Sequence, residues 1–568
     1  MSLDSGLVGL WRFNGDCKDS SGKGNHGSPF GVDFSAVGRS GKPNTAAAFD
    51  GVDDCIEVRS SESLALGAGD FSVAAWLRLE EDLTDIIGDV ASKFDENSRR
   101  GFNLYIKGSS AAYNSYGDAK NVHFGIDNAM DAPWEDCGKP WPTNTYVSSL
   151  TVFKGDLYAG IADAVGDGTD ACHVFRYAGG AEWIDCGRVG DSLRTRSAYS
   201  MIVHKDHLYC GTGRYDWVTV TPENCDYVRV YRYEGGKEWV DCGQPGENYR
   251  ILSLCSFKGD LYCGTDDNQR ECGPEAGKVF RYAGGTEWVD CGRLGDKIRS
   301  FCVFPHNGVL YGSTDGDIFC YEGGTAWTYI GNPFHNTQVH SLQIYKGKLY
   351  AGTWPQGYVC SYEGGMHWTL CGRLGVTTGE HQRLNEINDL TVYNGKLYAG
   401  VIPKGEIYRY EGGTSWTLLR RLVSNPDWKP KGTATWARVP SLTVFDGKLY
   451  AATAACRGYA EENPHYEAGR VYSTTAGQNV SYDQDLGSGW SHVVAVREGG
   501  SLKLYVDGKL VSSSQSFPAD CYDLTNDEPL YIGFGAVDYF SGVMDEMRLF
   551  DRALTQADVT ALYKQPAK

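Results

Sequence analysis

Short apolar segments separated by tight turns recur through the middle of the chain with a period of 39 to 56 residues. In each period a segment ending in Leu-Tyr is followed by a segment typically built as Tyr-x-Gly-Gly-x-x-Trp. Short apolar runs bounded by glycine turns are typical of β-strands, and this period is that of one four-stranded propeller blade. The Leu-Tyr pairs are Leu157-Tyr158, Leu208-Tyr209, Leu261-Tyr262, Leu310-Tyr311, Leu349-Tyr350, Leu397-Tyr398 and Leu449-Tyr450.

The first and last copies of this repeat are out of phase. Trp134 precedes the first Leu-Tyr pair, and no comparable tryptophan segment follows Tyr450. A spare last strand at the start and a missing last strand at the end predict a seven-bladed β-propeller closed by its own termini. The matching tryptophans are Trp134, Trp183, Trp239, Trp288, Trp327, Trp368 and Trp416.

The regions on either side of the repeats also read as strands. Before the repeats, apolar and small residues alternate over 6–13, and after them alternating strands fall at 490–497 and 502–511. Neither flank alone has enough strands to close a two-sheet core. We therefore predict an all-β protein in which a propeller, residues 131–482, is inserted into a discontinuous two-sheet jelly-roll sandwich made of residues 1–130 and 483–568.

Seven segments of the flanks form a recognisable series. They are Gly-Leu-Trp-Arg-Phe13, Asp19-Ser-Ser-Gly-Lys-Gly-Asn-His-Gly27, Phe49-Asp-Gly-Val-Asp-Asp54, Phe71-Ser-Val-Ala-Ala-Trp76, Trp490-Ser-His-Val493, Leu504-Tyr-Val-Asp-Gly508 and Phe540-Ser-Gly-Val-Met-Asp-Glu546. With these segments the flanks resemble the laminin-G-like, concanavalin-A-like jelly-roll family, interrupted here by a Kelch-like or sialidase-like propeller. The segments occur in the order expected for that family, and the insertion of about 350 residues is the departure from it.

The resemblance implies a structural calcium ion in the sandwich, with Asp19 and Asp545 as ligands, and no organic cofactor. A glycine-rich loop can supply carbonyl oxygens beside a carboxylate, as calcium requires. The alternative is that Asp19 caps a turn through its own backbone and that Asp545 pairs with Arg548 or Arg552.

Composition and charge narrow the classes of partner. A net charge of −19 argues against nucleic acid and against anionic membrane surfaces, because both need a dominant basic field. The sequence has no run of 18 apolar residues, so we predict no membrane insertion. We expect a monomer that is secreted, periplasmic or at the cell surface. On this interpretation, residues Met1 to Leu3 are a cloning remnant that replaces a signal peptide.

Eighteen cysteines raise the question of disulfides or metal. There is no Cys-x-x-Cys pair, which argues against a zinc ribbon. Cys225 and Cys272 are the best candidates for a disulfide. Five others sit at one repeated position, three residues after a tryptophan, and are read as buried thiols: Cys137, Cys186, Cys242, Cys291 and Cys371.

Loop lengths indicate which face of the ring carries function. The connections between first and second strands and between third and fourth strands are uniformly short, whereas the other face carries every long segment. Binding residues concentrate on such loops, and the sandwich is expected on the short-loop side. The mouth is predicted to present Tyr146, Arg196, Tyr199, Arg250, Lys297, Arg299, His340, Glu386, Asn388 and Arg438, and the loops beside it Arg214, Tyr215, Trp217, Trp354, Arg457, Tyr459 and His465.

Cations and aromatic planes around one mouth suit an anionic sugar, so the first hypothesis is a polysaccharide lyase acting on an acidic glycan. Arg250, Arg299 or Arg438 would neutralise the uronate carboxylate, His340 would remove the C5 proton, and Tyr199 or Tyr146 would protonate the leaving oxygen. The substrate-binding set is Arg196, Tyr215, Trp217, Trp354, Glu386, Asn388, Arg457 and His465. This hypothesis rests as much on analogy with propeller lyases as on residues.

Two alternatives stay open. A glycoside hydrolase would need two carboxylates, with Glu386 paired with Asp389 or Asp266. A sialidase is disfavoured, because its Ser-x-Asp-x-Gly-x-x-Trp box is only faintly present. The competing class is a non-catalytic extracellular protein that binds a glycan or glycoconjugate through both modules, since no nucleophile, phosphate-loop or His-Glu-x-x-His motif occurs.

Overall fold

The computed structural model describes residues 3–108, 110–111, 115–162, 168–214, 225–266, 274–377, 382–423, 437–455 and 468–567. Strands make up most of this part of the chain, which confirms the predicted all-β class. Its one α-helix, Gln556–Tyr563, begins with a capping box between Thr555 and Asp558. Short 3₁₀ turns occupy Glu62–Leu64, Pro333–His335 and Ala519–Cys521. No helix in the described ranges has the length and apolar character needed to span a membrane.

Strands from both ends of the chain share two antiparallel sheets. The first sheet has eight strands and the second has seven. The first contains Leu7–Trp11, Asp33–Ala36, Ala46–Asp50, Phe71–Arg78, Trp490–Glu498, Ser501–Val506, Lys509–Ser513 and Ser541–Phe550. The second contains Gly27–Phe30, Cys55–Val58, Gly88–Asp95, Arg100–Lys107, Asn121–Asp131, Ala476–Tyr482 and Leu530–Ile532.

The two ends of the chain interleave within each sheet. Phe71–Arg78 lies between two C-terminal strands, with Ala75 opposite Val493. Ala476–Tyr482, which the sequence analysis placed at the end of the repeats, instead pairs with Asn121–Asp131 in the second sheet. Apolar side chains facing inward from both sheets form one core, and neither end of the chain supplies it alone.

Between these ends, seven antiparallel units of four strands follow the sequence repeat. We call them units 1 to 7, in chain order. Unit 1 contains Tyr146–Phe153, Asp156–Ala162, His173–Gly179 and Glu182–Arg188; unit 2 contains Ser197–His204, His207–Gly213, Val230–Gly235 and Glu238–Asp241; unit 3 contains Arg250–Phe257, Asp260–Asp266, Lys278–Gly284 and Glu287–Arg293. Unit 4 contains Cys302–His306, Val309–Ser313, Ile318–Gly323 and Ala326–Gly331; unit 5 contains Gln338–Tyr345, Lys348–Trp354, Tyr358–Tyr362 and Trp368–Arg373; unit 6 contains Glu386–Tyr393, Lys396–Ile402, Glu406–Gly412 and Ser415–Arg421. Unit 7 contains Leu442–Phe445, Lys448–Ala452 and Val471–Thr474, together with Glu135–Asp136.

Unit 7 is built from both ends of the repeat region. Glu135–Asp136 pairs antiparallel with Val471–Thr474, with Glu135 opposite Ser473. Trp134 packs near Tyr398 and Leu422 of unit 6. The early tryptophan strand therefore completes the last unit, as its phase predicts.

Two-residue turns join the first two strands of each unit. In unit 1, Lys154 and Gly155 both have positive φ, 50° and 82°, which matches a type I′ turn. Such turns favour the right-handed twist of a hairpin. They keep this end of every unit short.

The repeated tryptophan links neighbouring units. Trp183 Nε1 donates to the carbonyl of Cys137 at 2.8 Å, across the boundary between units 1 and 7. The same bond joins Trp239 to Cys186 O (2.9 Å), Trp288 to Cys242 O (2.9 Å), Trp327 to Cys291 O (2.8 Å) and Trp416 to Cys371 O (2.9 Å). The five repeated cysteines are buried and free, as the sequence predicts, and their carbonyls accept these bonds. Cys225 is also buried, but Cys272 lies outside the described residues, so that disulfide stays a prediction.

Replacing Trp183 with phenylalanine is expected to lower the free energy of unfolding by about 1 kcal/mol, because the Cys137 carbonyl loses its donor while the aromatic contact persists. The urea midpoint measured by intrinsic fluorescence checks this. Tyr329→Phe is the control, since this side chain is 44% exposed and should change stability little. Equal losses in both variants would contradict the assignment of the indole bond.

The units are joined to one another by a circuit of hydrogen bonds, in which most partners lie on first strands, Ser313 ends the second strand of unit 4 and Ser441 precedes the first strand of unit 7. Each bond runs from one unit to the next, and the last returns from unit 7 to unit 1. They are Ser148 Oγ to Ala198 O (2.6 Å), Ser200 Oγ to Ile251 O (3.2 Å), Ser253 Oγ to Val303 O (3.5 Å), Ser313 Oγ to Val339 O (2.9 Å), Ser341 Oγ to Ile387 O (3.2 Å), Leu442 N to Asp389 Oδ2 (2.6 Å) and Leu150 N to Ser441 Oγ (3.1 Å).

The short turns of the units contact the sandwich. Six turns make a hydrogen bond to it, namely Gly155 N to Asp483 O (2.8 Å), Lys205 N to Asp118 Oδ2 (2.9 Å), Lys258 N to Leu83 O (2.7 Å), Lys346 N to Ala536 O (3.0 Å), Asn394 Nδ2 to Ile126 O (3.1 Å) and Gly447 N to Ser481 Oγ (3.0 Å). A hairpin of the first arm, Ser110–Ala111 and Ser115–Tyr116, also reaches the first strands, where Tyr116 pairs with Cys255. The opposite ends of the first strands therefore point away from the sandwich.

Candidate functional site

The candidate site lies where first strands begin and second strands end. Because these strands are antiparallel, both positions fall at the end of a unit opposite its short turn. Arg250, Gln338 and Glu386 are each the first residue of a first strand, and Asp266 is the last residue of a second strand. Polar side chains of neighbouring units are thereby brought together.

Arg250 and Asp266 form a buried ion pair within unit 3. Arg250 Nε donates to Asp266 Oδ2 at 2.7 Å, and the two residues are 5% and 0% exposed. Arg250 also lies over the ring of Tyr199, 5.3 Å from its centroid, with Nη1 3.5 Å from the Tyr199 hydroxyl. The carboxylate thus fixes the guanidinium beside a tyrosine of unit 2.

Arg299 repeats this arrangement in unit 4. Its guanidinium pairs with Asp315 and lies 5.2 Å from the ring centroid of Phe301. Burial raises the pKa of the Asp315 carboxyl, although the Arg299 charge opposes that shift. Phe301, Leu252 and Tyr199 form one buried apolar cluster, which connects units 2, 3 and 4.

His340 lies at the centre of this cluster. Its ring is 4.4 Å from that of Phe301 and its Nδ1 is 3.4 Å from Glu386 Oε1. With the nitrogen of the Gln338 amide facing His340, that nitrogen donates to Nε2 at 2.7 Å and the amide oxygen accepts from Arg299 Nη1 at 3.1 Å. In this arrangement Nε2 carries the lone pair and Nδ1 carries the proton that faces Glu386.

The surroundings keep His340 neutral. Burial lowers its pKa, and the charges of Arg438, Arg299 and Arg250 lower it further, well below its usual value of 6.5. These effects outweigh the Glu386 carboxylate. The ring is therefore in the neutral form that accepts a proton.

Glu386 connects Arg438 and Asn388 to this cluster. Its Oε1 accepts from Arg438 Nη1 at 3.4 Å and also from the Asn388 amide. Asn388 Oδ1 has no hydrogen-bond partner in the described part of the chain, although the residue is fully buried. Three predicted arginines therefore each have a carboxylate beside them, so the mouth is a mixed network and not a purely basic ring.

The other predicted residues are more scattered. Tyr146 is buried and packs with Ala162 and Ala454. Arg196 is partly buried, and Trp354 is the partly buried last residue of a second strand. Four members of the substrate-binding set lie outside the described residues, namely Tyr215, Trp217, Arg457 and His465.

The carboxylates considered for a hydrolase are already engaged. Asp389 accepts the backbone N–H of Leu390 at 3.0 Å and of Leu442 at 2.6 Å, and Asp266 holds Arg250. Both candidate partners of Glu386, Asp389 and Asp266, are therefore already engaged in other bonds and are poorly placed to act as the second carboxylate of a hydrolase.

Sequence reasoning missed Asp315, Gln338 and Phe301. Gln338 and His340 stand two residues apart on one strand, as do Glu386 and Asn388, so each pair shares a face. That alternation was the available signal for Gln338. Nothing in the sequence placed Asp315 beside Arg299, because the contact depends on the pairing of the two strands.

The residues predicted to bind calcium make hydrogen bonds within the protein. Asp19 Oδ1 accepts from Leu10 N and Ser21 N, and Oδ2 accepts from Asn25 N at 3.0 Å. These bonds lower the Asp19 pKa against the opposing effect of burial. Asp545 Oδ2 accepts from Arg39 N at 2.9 Å. The donors around Asp19 match the turn alternative, whereas Asp545 pairs with Arg39 where Arg548 or Arg552 was expected, and calcium stays a prediction.

Two other groups in the described part of the chain bring enough ligand atoms together for a metal ion. One is the buried set Asp85, His306 and Asp538, and the other is the loop set Asp50, Asp53 and Asp54. Neither was identified from the sequence.

Comparison with a family model for the concanavalin A-like lectin/glucanases superfamily, Laminin_G_3, gives a match over residues 433–560. A comparison with curated protein sequences finds no match.

The comparison with solved structures gives matches of low similarity, three of which follow. An inactive variant of virginiamycin B lyase from Staphylococcus aureus, solved with quinupristin, is 10% identical with a TM-score of 0.42, covering 60% of this chain and 99% of its own. The WD40 β-propeller domain of Doa1 is 12% identical with a TM-score of 0.37, covering 60% and 97%. The binding domain of Paraclostridial Mosquitocidal Protein 1 is 9% identical with a TM-score of 0.25, covering 99% and 52%. Similarity at this level carries no activity over. The chain has a concanavalin A-like domain in its C-terminal part, and the matched range also includes the strands Leu442–Phe445, Lys448–Ala452 and Val471–Thr474 of unit 7.

Proposed function

We propose that this is a carbohydrate-active protein that binds an acidic glycan at the candidate site and cleaves it by β-elimination. The observation that carries the proposal is the buried His340, whose Nε2 faces the Gln338 amide in a cluster with Arg250, Arg299 and Arg438. Burial and the charges of these arginines hold the pKa of His340 well below its usual range, so that the base is already deprotonated, and the guanidinium groups are the candidates for binding an acidic sugar. The concanavalin A-like match supports the broader carbohydrate role.

The proposed architecture is one ring of seven blades inserted between the arms of the sandwich. The circuit of hydrogen bonds from unit 1 through unit 7 and back supports closure of the ring. The contacts of the short turns with the sandwich leave the opposite mouth for the ligand. The proposed domain limits remain 1–130, 131–482 and 483–568, except that strand Ala476–Tyr482 pairs in the sandwich.

Each step of the elimination has a candidate residue. Arg250, Arg299 or Arg438 would hold the uronate carboxylate. His340 Nε2 would accept the C5 proton once substrate displaces the Gln338 amide, and the electron pair of that C–H bond would form the C4–C5 double bond as the C4–O bond breaks. Tyr199 would return a proton to the departing oxygen. Tyr146 is the weaker candidate for this last role because alanines enclose it.

A non-catalytic glycan-binding protein is the second candidate. The carboxylates of Asp266, Asp315 and Glu386 already pair with the three arginines. These arginines therefore attract an anionic sugar less strongly than unpaired arginines would. In either case we propose an extracytoplasmic, monomeric protein, and light scattering after size exclusion would check its mass.

A panel of uronic-acid polysaccharides, with a neutral glucan as control, separates the two candidates. A lyase releases unsaturated products that absorb in the ultraviolet, and mass spectrometry identifies them. Absorbance should rise with at least one acidic polymer and stay flat with the glucan. Binding without any rise across the panel would leave the binder, and binding of the glucan alone would exclude an acidic ligand.

A further inference from the structure

Three buried residues from three distant segments meet between the sandwich and unit 4. Asp85 precedes strand Gly88–Asp95, Asp538 lies between Leu530–Ile532 and Ser541–Phe550, and His306 ends the first strand of unit 4. They are 3%, 0% and 4% exposed. His306 Nδ1 lies 3.3 Å from Asp85 Oδ1 and 3.3 Å from Asp538 Oδ2.

Three polar atoms of this cluster lack a hydrogen bond. Within the described part of the chain, Asp85 Oδ2, Asp538 Oδ2 and His306 Nδ1 have no hydrogen-bond partner. The other carboxylate oxygens are held by backbone, with Ile86 N donating to Asp85 Oδ1 at 2.7 Å and Tyr539 N to Asp538 Oδ1 at 2.8 Å. Buried polar atoms are rarely left unsatisfied in proteins, and two of the three here, His306 Nδ1 and Asp538 Oδ2, lie 3.3 Å from each other.

The spacing of these atoms is that of ligands around one small cation. Two ligands bonded at about 2.0–2.1 Å and separated by the tetrahedral angle are about 3.3 Å apart. Both contacts of the imidazole nitrogen have this length. The ligand atoms of the three side chains all lie within 4.8 Å of one another.

We propose that Asp85, His306 and Asp538 bind a divalent transition-metal ion, with Zn²⁺ as the best fit. An imidazole nitrogen with two carboxylates suits zinc, whereas calcium and magnesium prefer oxygen ligands alone. Two carboxylates also balance the charge of a divalent ion, so the buried site becomes neutral.

A neighbouring carboxylate supports the site. Asp89 Oδ2 accepts the backbone N–H groups of Val537 at 2.7 Å and of Asp538 at 3.1 Å. These bonds fix the loop that presents Asp538, as outer-shell partners do in metal sites. The ion would join both arms of the sandwich to unit 4 and so act as a structural clip. This inference is independent of the proposed function.

Metal analysis of the purified full chain tests the site. After stripping with a chelator and dialysis against Zn²⁺, the wild type should retain one equivalent by plasma mass spectrometry. His306→Gln and Asp538→Asn should lose it. His204→Gln is the matched control and should keep it, because His204 also ends a first strand and is buried, but it has one carboxylate, Asp118, and a hydrogen bond to Ser256.

A second measurement holds even if the variants fold poorly. Co²⁺ bound to the wild type should give visible ligand-field bands of nitrogen and oxygen ligands, without the near-ultraviolet charge transfer that cysteine thiolates produce. The chelator should also lower the melting temperature of the wild type. The proposal would be overturned if the wild type retained no ion, if Co²⁺ gave thiolate bands, or if His306→Gln still retained one equivalent of metal. If the wild type held no ion, the cluster would be an imidazolium paired with the two carboxylates.

Discussion

Replacing Asp266 with asparagine is expected to lower the free energy of unfolding by about 3–5 kcal/mol. Asp266 is fully buried and its Oδ2 accepts from Arg250 Nε at 2.7 Å. The amide keeps the shape of the side chain but removes the negative charge, so the guanidinium of Arg250 stays buried without this carboxylate. The urea midpoint followed by tryptophan fluorescence measures the loss.

The same strand supplies the matched control. Asp260 is the first residue of the strand that Asp266 ends, and it pairs with Arg281 at 3.0 Å, with side chains 41% and 34% exposed. Asp260→Asn should therefore cost about 0–1 kcal/mol. If both variants lost the same amount, burial would not distinguish the two pairs, and the account of Arg250 as a fixed, desolvated cation would be wrong.

The repeat made much of the fold predictable. Leu-Tyr and Gly-Gly segments depend on local chemistry, because a two-residue turn requires residues that adopt positive φ, as Gly155 does at 82°. The position of Trp134 ahead of the first Leu-Tyr pair predicted that a strand beside it completes the last unit, and Glu135–Asp136 does pair with Val471–Thr474. Strand Ala476–Tyr482 was misplaced because its alternation does not say which sheet it joins.

The site was predictable only in part. The positions of Arg250, His340 and Glu386 follow from strand register, but their partners do not. Asp315 beside Arg299 and His306 beside Asp538 depend on tertiary contacts between segments far apart in sequence. A net charge of −19 therefore coexists with a cluster that holds three arginines and a histidine whose pKa is lowered by burial and by those arginines, which no composition could indicate.

On an acidic polysaccharide that the protein cleaves, His340→Gln should lower turnover by about 10²–10⁴ while binding persists. Glutamine can keep a hydrogen bond to Gln338 but cannot take a proton from carbon. Because the His340 pKa lies well below 6.5, the wild-type base is already neutral at pH 7. The acidic limb of the kcat/KM profile should therefore lie below pH 6.5, with activity present above it and lost as pH falls through that pKa.

The control for His340→Gln is a second buried histidine, which lies beside the short turn of unit 2 that contacts the sandwich. His204 is 5% exposed and ends the first strand of unit 2, so His204→Gln should leave turnover and the pH profile unchanged. Unchanged turnover in His340→Gln would remove His340 as the base. An acidic limb at or above pH 6.5 in the wild type would do the same, because a histidine whose pKa is depressed by burial and three arginines titrates only at lower pH.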